Sequence, residues 1–177
     1  MRLGMDAASL SSGLILEFGV WHGSSLRMIA SHWPEEDVHG FDTFTGLPEQ
    51  WGLIEAWGEP VGAYSTFGAM PAGLPGNVKL YEGTFKDTLP GFLSAHSGPI
   101  RFMNIDCDLY SSTKDIFENV YNRISPGTII VFDEYIASPT WQQDEFKAFE
   151  EAVAEHGWAY EYLAISLQSC QAVVRII

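Results

Sequence analysis

Short apolar runs alternate with amphipathic stretches along this chain, and this alternation restricts the fold more than any other feature. Five apolar runs have the length of a buried strand, and they cover residues 14–18, 38–41, 77–81, 101–105 and 128–132. Apolar residues at helical spacing mark four further stretches, residues 24–32, 86–95, 112–124 and 144–156. Parallel neighbouring strands need a crossover, and a helix is the usual one, so the pattern predicts an α/β fold with a parallel sheet.

Two more apolar runs close the chain, in residues 158–164 and 172–176, on either side of a turn near residues 167–169. With so short a connection they predict an antiparallel hairpin at one edge of the sheet. The expected fold is therefore doubly wound, with a mostly parallel seven-stranded sheet that ends in an antiparallel C-terminal edge hairpin.

Size and charge restrict the class of protein. A chain of 177 residues with 46% hydrophobic content predicts a single domain over residues 1–177. The net charge of −14, with only nine Lys and Arg, excludes the basic stripe that a nucleic-acid partner or an anionic membrane surface requires. No run approaches the roughly 18–20 apolar residues of a membrane span, and two cysteines make no disulfide framework. We expect a cytoplasmic protein.

Residues 49–76 interrupt the alternation, and we call them the insertion. They contain three prolines and six glycines but few charges. Long irregular segments in compact domains are commonly functional, so a lid over the ligand crevice is the preferred interpretation. A packed or disordered connector is the alternative.

The segment from Glu17 to Ser25 follows the first predicted strand and opens the first predicted helix. Its two glycines, Gly19 and Gly23, allow a sharp turn and a close approach of the backbone to a ligand. The free N–H groups of the helix start favour a carboxylate or a phosphate. Asp42 ends the second predicted strand, where an acidic side chain can accept hydrogen bonds from ribose hydroxyls, although it could instead cap a following helix. The glycine loop and Asp42 together indicate a nucleoside-type cofactor.

Two acidic clusters, Asp106-Cys107-Asp108 and Asp133-Glu134, lie 27 positions apart, each directly after a predicted strand. Carboxylates at the ends of strands in an open α/β sheet point into the crevice where such folds bind ligands. They repel one another there unless a proton or a cation intervenes, and Mg²⁺ prefers such oxygen ligands. The sequence predicts a Mg²⁺ site, with helix capping as the alternative role of these side chains.

Five motifs in order resemble the macrocin O-methyltransferase family within the class I S-adenosylmethionine-dependent methyltransferases. They cover most of residues 14–150 and read Glu17-Phe18-Gly19-Val20-Trp21 with Gly23-Ser24, Asp42-Thr43-Phe44-Thr45-Gly46-Leu47-Pro48, Gly83-Thr84-Phe85-Lys86-Asp87-Thr88-Leu89-Pro90, Asp106-Cys107-Asp108-Leu109-Tyr110-Ser111-Ser112-Thr113 and Phe132-Asp133-Glu134-Tyr135. The resemblance implies a Rossmann-like fold and transfer of a methyl group from S-adenosylmethionine to a hydroxyl of a small molecule, with carboxylate-bound Mg²⁺.

The resemblance also implies roles for particular residues. The metal ligands would be Asp106, Asp133 and Glu134, the last standing where related enzymes usually have Asp or Asn. The catalytic residues would be Asp106 and Asp108, with Asp108 a base or a substitute metal ligand. The cofactor would be bound by Glu17, Gly19, Val20, Gly23, Ser24, Asp42, Thr43, Gly83, Thr84, Phe85 and Asp106.

Two other functions remain open at this point. One is a cofactor-binding domain without catalysis, in which the short segment before Leu14 leaves the substrate pocket incomplete. A homodimer could instead complete the pocket by lending a lid from a neighbour. The other is a nicotinamide-dependent oxidoreductase, which the missing third glycine of the dinucleotide motif and the acidic pairs argue against. For a methyltransferase, a sugar, a phenol and a small hydroxy acid are all acceptable acceptors.

Overall fold

The computed structural model describes residues 1–9, 12–53 and 57–177. The strands are β1 (Leu14–Phe18), β2 (Val38–Asp42), β3 (Trp51–Leu53), β4 (Trp57–Glu59), β5 (Val78–Glu82), β6 (Ile100–Ile105), β7 (Ile129–Phe132), β8 (Tyr160–Ile165) and β9 (Ala172–Ile176). The α-helices are α1 (Arg2–Ala8), α2 (Ser24–His32), α3 (Phe85–Ala95), α4 (Tyr110–Val120) and α5 (Glu145–His156). None of these helices is long and apolar enough to cross a membrane.

Seven strands form one sheet in the order β5-β2-β1-β6-β7-β9-β8. The five strands from β5 to β7 are parallel to their neighbours, whereas β9 pairs antiparallel with both β7 and β8. The predicted fold class is confirmed, including the antiparallel hairpin at the C-terminal edge. Strands β6 and β7 are buried along their whole length, which explains why they read as mostly apolar runs.

Helices cover both faces of this sheet. On one face α1 and α2 pack through Met5, Leu26 and Ile29, and on the other face α3, α4 and α5 pack through residues such as Phe92 and Phe149. The chain winds outward from β1 to β5 and then returns to β6 on the opposite side of β1. Sheets of this kind bind ligands where the winding reverses, at the carboxyl ends of the strands, which here means the ends of β1 and β6.

The structure differs from the sequence prediction in two short elements. Helix α1 was not predicted, because it is only seven residues long and buries only Gly4, Met5 and Ala8. A Cβ atom on Gly4 would lie 2.7 Å from Cγ2 of Val131, so this glycine lets the helix lie close against β7. The insertion is not wholly irregular either, since β3 and β4 pair as an antiparallel hairpin within it. Its residues 54–56 lie outside the described ranges.

Candidate active site

A cavity of about 860 Å³ opens at the carboxyl ends of β1, β2, β6 and β7, within the size range of sites for small organic ligands. Most of the predicted site residues line it, namely Gly19, Val20, Ser24, Asp42, Thr43, Thr84, Phe85, Asp106, Asp108, Asp133 and Glu134. The other three, Glu17, Gly23 and Gly83, are not among the lining residues. The topology thus brings distant predicted residues to one place.

The loop between β1 and α2, residues 19–23, passes tightly against β6. Gly19 has φ +88°, and a Cβ atom there would lie 1.7 Å from the carbonyl oxygen of Asp106. Gly23 is the N-cap of α2 and has φ +75°. Only glycine adopts both the conformation and the close approach at position 19 without displacing the backbone that carries Asp106.

Asp42 binds this loop through its carboxylate. Oδ2 accepts hydrogen bonds from the backbone N–H groups of Val20 and Trp21, both at 2.7 Å, and Oδ1 accepts one from Phe44 at 2.7 Å. The next element after Asp42 is strand β3 and not a helix, so the capping alternative is wrong, and the bond to Phe44 belongs to a turn. A carboxylate has about four acceptor sites, so this one can still accept further hydrogen bonds.

Glu17 is completely buried beneath the loop. Its Oε1 accepts a hydrogen bond of 3.0 Å from Nδ2 of Asn104, and the Ser25 side chain also interacts with its carboxyl group. Burial raises the pKa of Glu17 to about 8, against the lowering effect of its hydrogen bonds. The side chain is therefore mostly neutral at pH 7 and can act as a donor as well as an acceptor.

Asp106, Asp133 and Glu134 form the acidic cluster. One carboxylate oxygen from each lies within 4.8 Å of the others. Burial, followed by repulsion from the neighbouring carboxylates, raises the pKa of Asp106 well above its ordinary value, and burial and Asp133 raise that of Glu134 to about 8. Oε2 of Glu134 is buried without a hydrogen-bond partner in the described part of the chain. Three converging hard oxygen donors, one of them unpartnered, fit a divalent cation such as Mg²⁺.

Asp108 lies beside the acidic cluster but is not part of it. Its backbone has φ +64°, a left-handed conformation that costs energy in a residue other than glycine and is common at functional sites. The side chain is 8% exposed and lines the cavity, and burial, followed by Asp133, raises its pKa to about 7. The N-cap of α4 is Leu109 and the helix has no side-chain cap, so Asp108 does not serve as one.

The insertion contributes one wall of the cavity. Trp51 is buried against Leu47 and Leu109, which follows Asp108 directly. Glu49 accepts a hydrogen bond of 2.5 Å from Oγ of Ser111, and the ring of Tyr64 lies edge-on to that of Trp21 with centroids 5.9 Å apart. These contacts hold the insertion on the elements that carry the acidic residues. Whether the insertion opens and closes as a lid stays a prediction.

Three residues that support the site were not predicted from the sequence. Asn104 donates to Glu17, Gln171 donates through Nε2 to Oδ1 of Asp133, and Glu145 accepts a 3.3 Å bond from the backbone N–H of Cys107. A polar residue within the apolar run of β6 was a usable signal for Asn104. Gln171 and Glu145 carried no such signal, because their partners are distant in sequence.

Comparisons with known proteins agree with this geometry. Residues 16–135 match the family model described as a methyltransferase domain. A calicheamicin methyltransferase of known structure is 26% identical and superimposes with a TM-score of 0.73 over 98% of this chain and 77% of its own. An O-methyltransferase from Bacillus cereus, solved with S-adenosylhomocysteine, has a TM-score of 0.62 over 99% of this chain and 81% of its own, which at 18% identity shows the shared fold.

Relatives of assigned function are also named O-methyltransferases. The 8-demethyl-8-(2,3-dimethoxy-alpha-L-rhamnosyl)-tetracenomycin-C 4'-O-methyltransferase of Streptomyces olivaceus is 33% identical over 70% of this chain and 53% of its own. The demethyldecarbamoylnovobiocin O-methyltransferase of Streptomyces niveus is 26% identical over 77% and 58%, respectively. The chain thus spans little more than half the length of these relatives. With the family model matching well over half of the chain, the expectation from the motifs is confirmed, and the protein belongs to the methyltransferase domain family.

Proposed function

We propose that this chain is an S-adenosylmethionine-dependent O-methyltransferase that acts on a hydroxyl of a natural-product sugar with the help of Mg²⁺. The observation that carries the proposal is the meeting of the glycine loop, Asp42 and the acidic cluster around one cavity. The names of the relatives support the substrate class, because one includes a rhamnosyl group and the calicheamicin enzyme is also named a TDP-rhamnose 3'-O-methyltransferase. Because the chain belongs to a methyltransferase family, a nicotinamide-dependent oxidoreductase is no longer the alternative.

The cofactor-binding roles follow from the positions of the residues. Asp42 lies at the end of β2 with acceptor capacity to spare for ribose hydroxyls. The N-terminus of α2, next to Ser24, offers free N–H groups to the carboxylate of the methionine moiety. Phe85 and Thr84 line the cavity at the start of α3, on the side where an adenine ring would lie. Glu17 is buried beneath the loop, and the backbone N–H of Gly83 donates to the carbonyl oxygen of Asp42.

The acidic cluster would hold Mg²⁺ through Asp106, Asp133 and Glu134. When bound there, the ion would supply positive charge that lowers the pKa of a coordinated hydroxyl. Gln171, which also lines the cavity, orients Asp133 through its hydrogen bond. Asp108 lines the same cavity with a pKa of about 7, so near neutral pH it can accept the proton that the acceptor hydroxyl must lose.

Calorimetric titration with S-adenosylmethionine and S-adenosylhomocysteine tests the proposal. We expect saturable binding of both with a Kd of roughly 1–100 µM, because the loop and Asp42 are already arranged in the free protein. Release of S-adenosylhomocysteine in the presence of a glycoside acceptor then separates an enzyme from a cofactor-binding domain without catalysis. If neither compound binds, the proposed function is wrong.

The affinity for Mg²⁺ should depend on pH in a defined direction. The pKa of Glu134 is raised to about 8, so below pH 8 a proton occupies this group, which must be ionised to bind the ion, and the raised pKa of Asp106 acts in the same direction. The association constant should therefore rise by at least about tenfold for each pH unit between about pH 6 and 8, and then level off. Calorimetry in buffers of different ionisation enthalpy measures both the constant and the protons released.

Glu134→Gln provides the control for this prediction. The substitution keeps the shape of the side chain but removes its titration, so the slope with pH should fall and the maximum affinity should fall with it. A constant affinity between pH 6 and 8 for the unchanged protein would contradict the assignment of Asp106 and Glu134 as ligands.

A further inference from the structure

Glu145 is the first residue of α5 and is completely buried. It is not among the residues that line the cavity, although Cys107, whose backbone N–H donates a 3.3 Å hydrogen bond to its Oε1, is one of them. Its Oε2 is buried without a hydrogen-bond partner in the described part of the chain. Burial, followed by repulsion from Glu134, raises the pKa of this carboxyl group well above its ordinary value. The protein thus carries a costly buried carboxyl group next to the wall of the proposed active site.

The start of a helix explains the residue type of Glu145 but not its burial. Acidic side chains in the first turn of a helix are stabilised by the helix dipole, and an exposed side chain gains this effect as well. Glu145 instead contacts a different part of the chain, the segment Asp106-Cys107-Asp108, which we call the acidic turn. Buried polar groups are normally paired, so one that is only half paired calls for an explanation other than packing.

The backbone of the acidic turn is strained. Asp108 has φ +64°, and a 2.6 Å hydrogen bond from the backbone N–H of Leu109 to the carbonyl oxygen of Cys107 closes the turn around it. On the other side, the backbone N–H of Asp106 donates to the carbonyl oxygen at the end of β1, at 2.9 Å. The N–H of Cys107 lies between these two fixed points, and Glu145 is its acceptor. The positions of Asp106 and Asp108 are therefore fixed in part by this contact from α5.

The residue before Glu145 connects the same helix start to the insertion. Oδ2 of Asp144 accepts a 2.7 Å hydrogen bond from Oγ1 of Thr140, and the side chain of Trp51 in β3 also interacts with the carboxyl group of Asp144. Trp51 is in turn buried against Leu109, which ends the acidic turn. Contacts on both sides thus hold the start of α5, so it provides a firm support for the backbone of the turn.

We propose that Glu145 is a positioning residue, which holds the strained acidic turn so that Asp106 joins the acidic cluster and Asp108 lines the cavity. It rests on the proposed function and adds to that site a residue that touches neither cofactor nor substrate. Replacing the groups that orient metal ligands typically costs roughly 10–100-fold in metal affinity or activity. Loss of the contact from Glu145 is expected to have an effect of this size.

Calorimetric titration of Mg²⁺ into variants at position 145 tests the positioning role and needs no acceptor. Glu145→Ala removes the acceptor of the Cys107 N–H, so the association constant for Mg²⁺ should fall at least about tenfold. Glu145→Gln keeps an oxygen at this place, so its constant should stay within about threefold of that of the unchanged protein. Glu145→Asp is one methylene shorter and should behave like Glu145→Ala.

Val120→Ala is the control for a general loss of stability. Val120 is completely buried at the end of α4, whereas the acidic turn precedes the start of that helix. The substitution should lower the Tm by roughly 3–8 °C and leave the association constant for Mg²⁺ within about threefold. A structural defect alone would lower the Mg²⁺ affinity of this variant and of Glu145→Ala alike.

Amide hydrogen exchange measures the same contact without any ligand. The exchange rate of the Cys107 N–H is followed by NMR relative to that of the Ile130 N–H in β7. The ratio should rise at least about tenfold in Glu145→Ala and change by less than about threefold in Glu145→Gln. In Val120→Ala both rates should rise together, so that their ratio stays constant.

The outcomes separate the positioning role from the proposed function. An unchanged Mg²⁺ constant in Glu145→Ala, an equal loss in Glu145→Gln, or an unchanged exchange ratio for Cys107 would overturn the positioning role. Absence of both Mg²⁺ and S-adenosylhomocysteine binding in the unchanged protein would instead overturn the proposed function, and the exchange ratio would then still show whether Glu145 holds the turn.

Discussion

Replacing Asp133 with asparagine is expected to lower kcat about 1,000-fold while the affinity for S-adenosylhomocysteine changes by less than about threefold. The substitution removes one negative charge from the acidic cluster but keeps an oxygen for the hydrogen bond from Gln171. The loss should therefore fall on the metal-dependent part of the reaction, and the fold of the site should survive.

Steady-state kinetics and calorimetry with Mg²⁺ check this expectation together. Asp115→Asn is the matched control, because Asp115 is another half-buried carboxyl residue that lines the cavity outside the acidic cluster. It should retain Mg²⁺ binding and most of the activity. If Asp133→Asn keeps the Mg²⁺ affinity and kcat of the unchanged protein, the cluster is not the metal site.

Gly19→Ala should have the largest effect on stability, about 4 kcal/mol or more, together with loss of S-adenosylhomocysteine binding. The added Cβ would lie 1.7 Å from the carbonyl oxygen of Asp106 at a φ of +88°. The clash is with backbone, which cannot rotate away as a side chain can. The loop or the end of β6 must shift, and either movement displaces residues that line the cavity.

Urea unfolding measures the loss of stability, and calorimetry measures the loss of S-adenosylhomocysteine binding. Gly127→Ala separates the clash from the backbone conformation, because Gly127 has a similar φ of +99° but no atom within 4 Å of an added Cβ. That variant should lose only about 1 kcal/mol and bind the cofactor normally. Similar losses in the two variants would show that close packing at position 19 is not what requires glycine.

The sheet and the meeting of the predicted site residues could be derived from the sequence. Buried parallel strands read as apolar runs, and their carboxyl ends share one edge, so acidic residues after β6 and β7 had to converge. The partners of those acids could not be derived. Gln171 reaches Asp133 only because β9 pairs with β7, and Glu145 reaches the loop of Cys107 only because α5 packs on α4.

The two elements that were missed depend on tertiary contacts. Helix α1 buries few residues, and its position depends on the contact of Gly4 with Val131 rather than on any apolar period. The hairpin of β3 and β4 has three residues in each strand, too few for an alternating pattern, and the burial of Trp51 against Leu109 fixes it. Short elements of this kind carry little local signal.

The three backbone hydrogen bonds of Asp42 have a consequence for the speed of cofactor exchange. Because the carboxylate already holds Val20, Trp21 and Phe44, the loop does not have to fold around an incoming nucleoside. Little conformational entropy is then lost on association, and departure of the spent cofactor leaves the loop ready for the next molecule. Under the proposed function, a site built in this way would act as a rigid receptor for the cofactor.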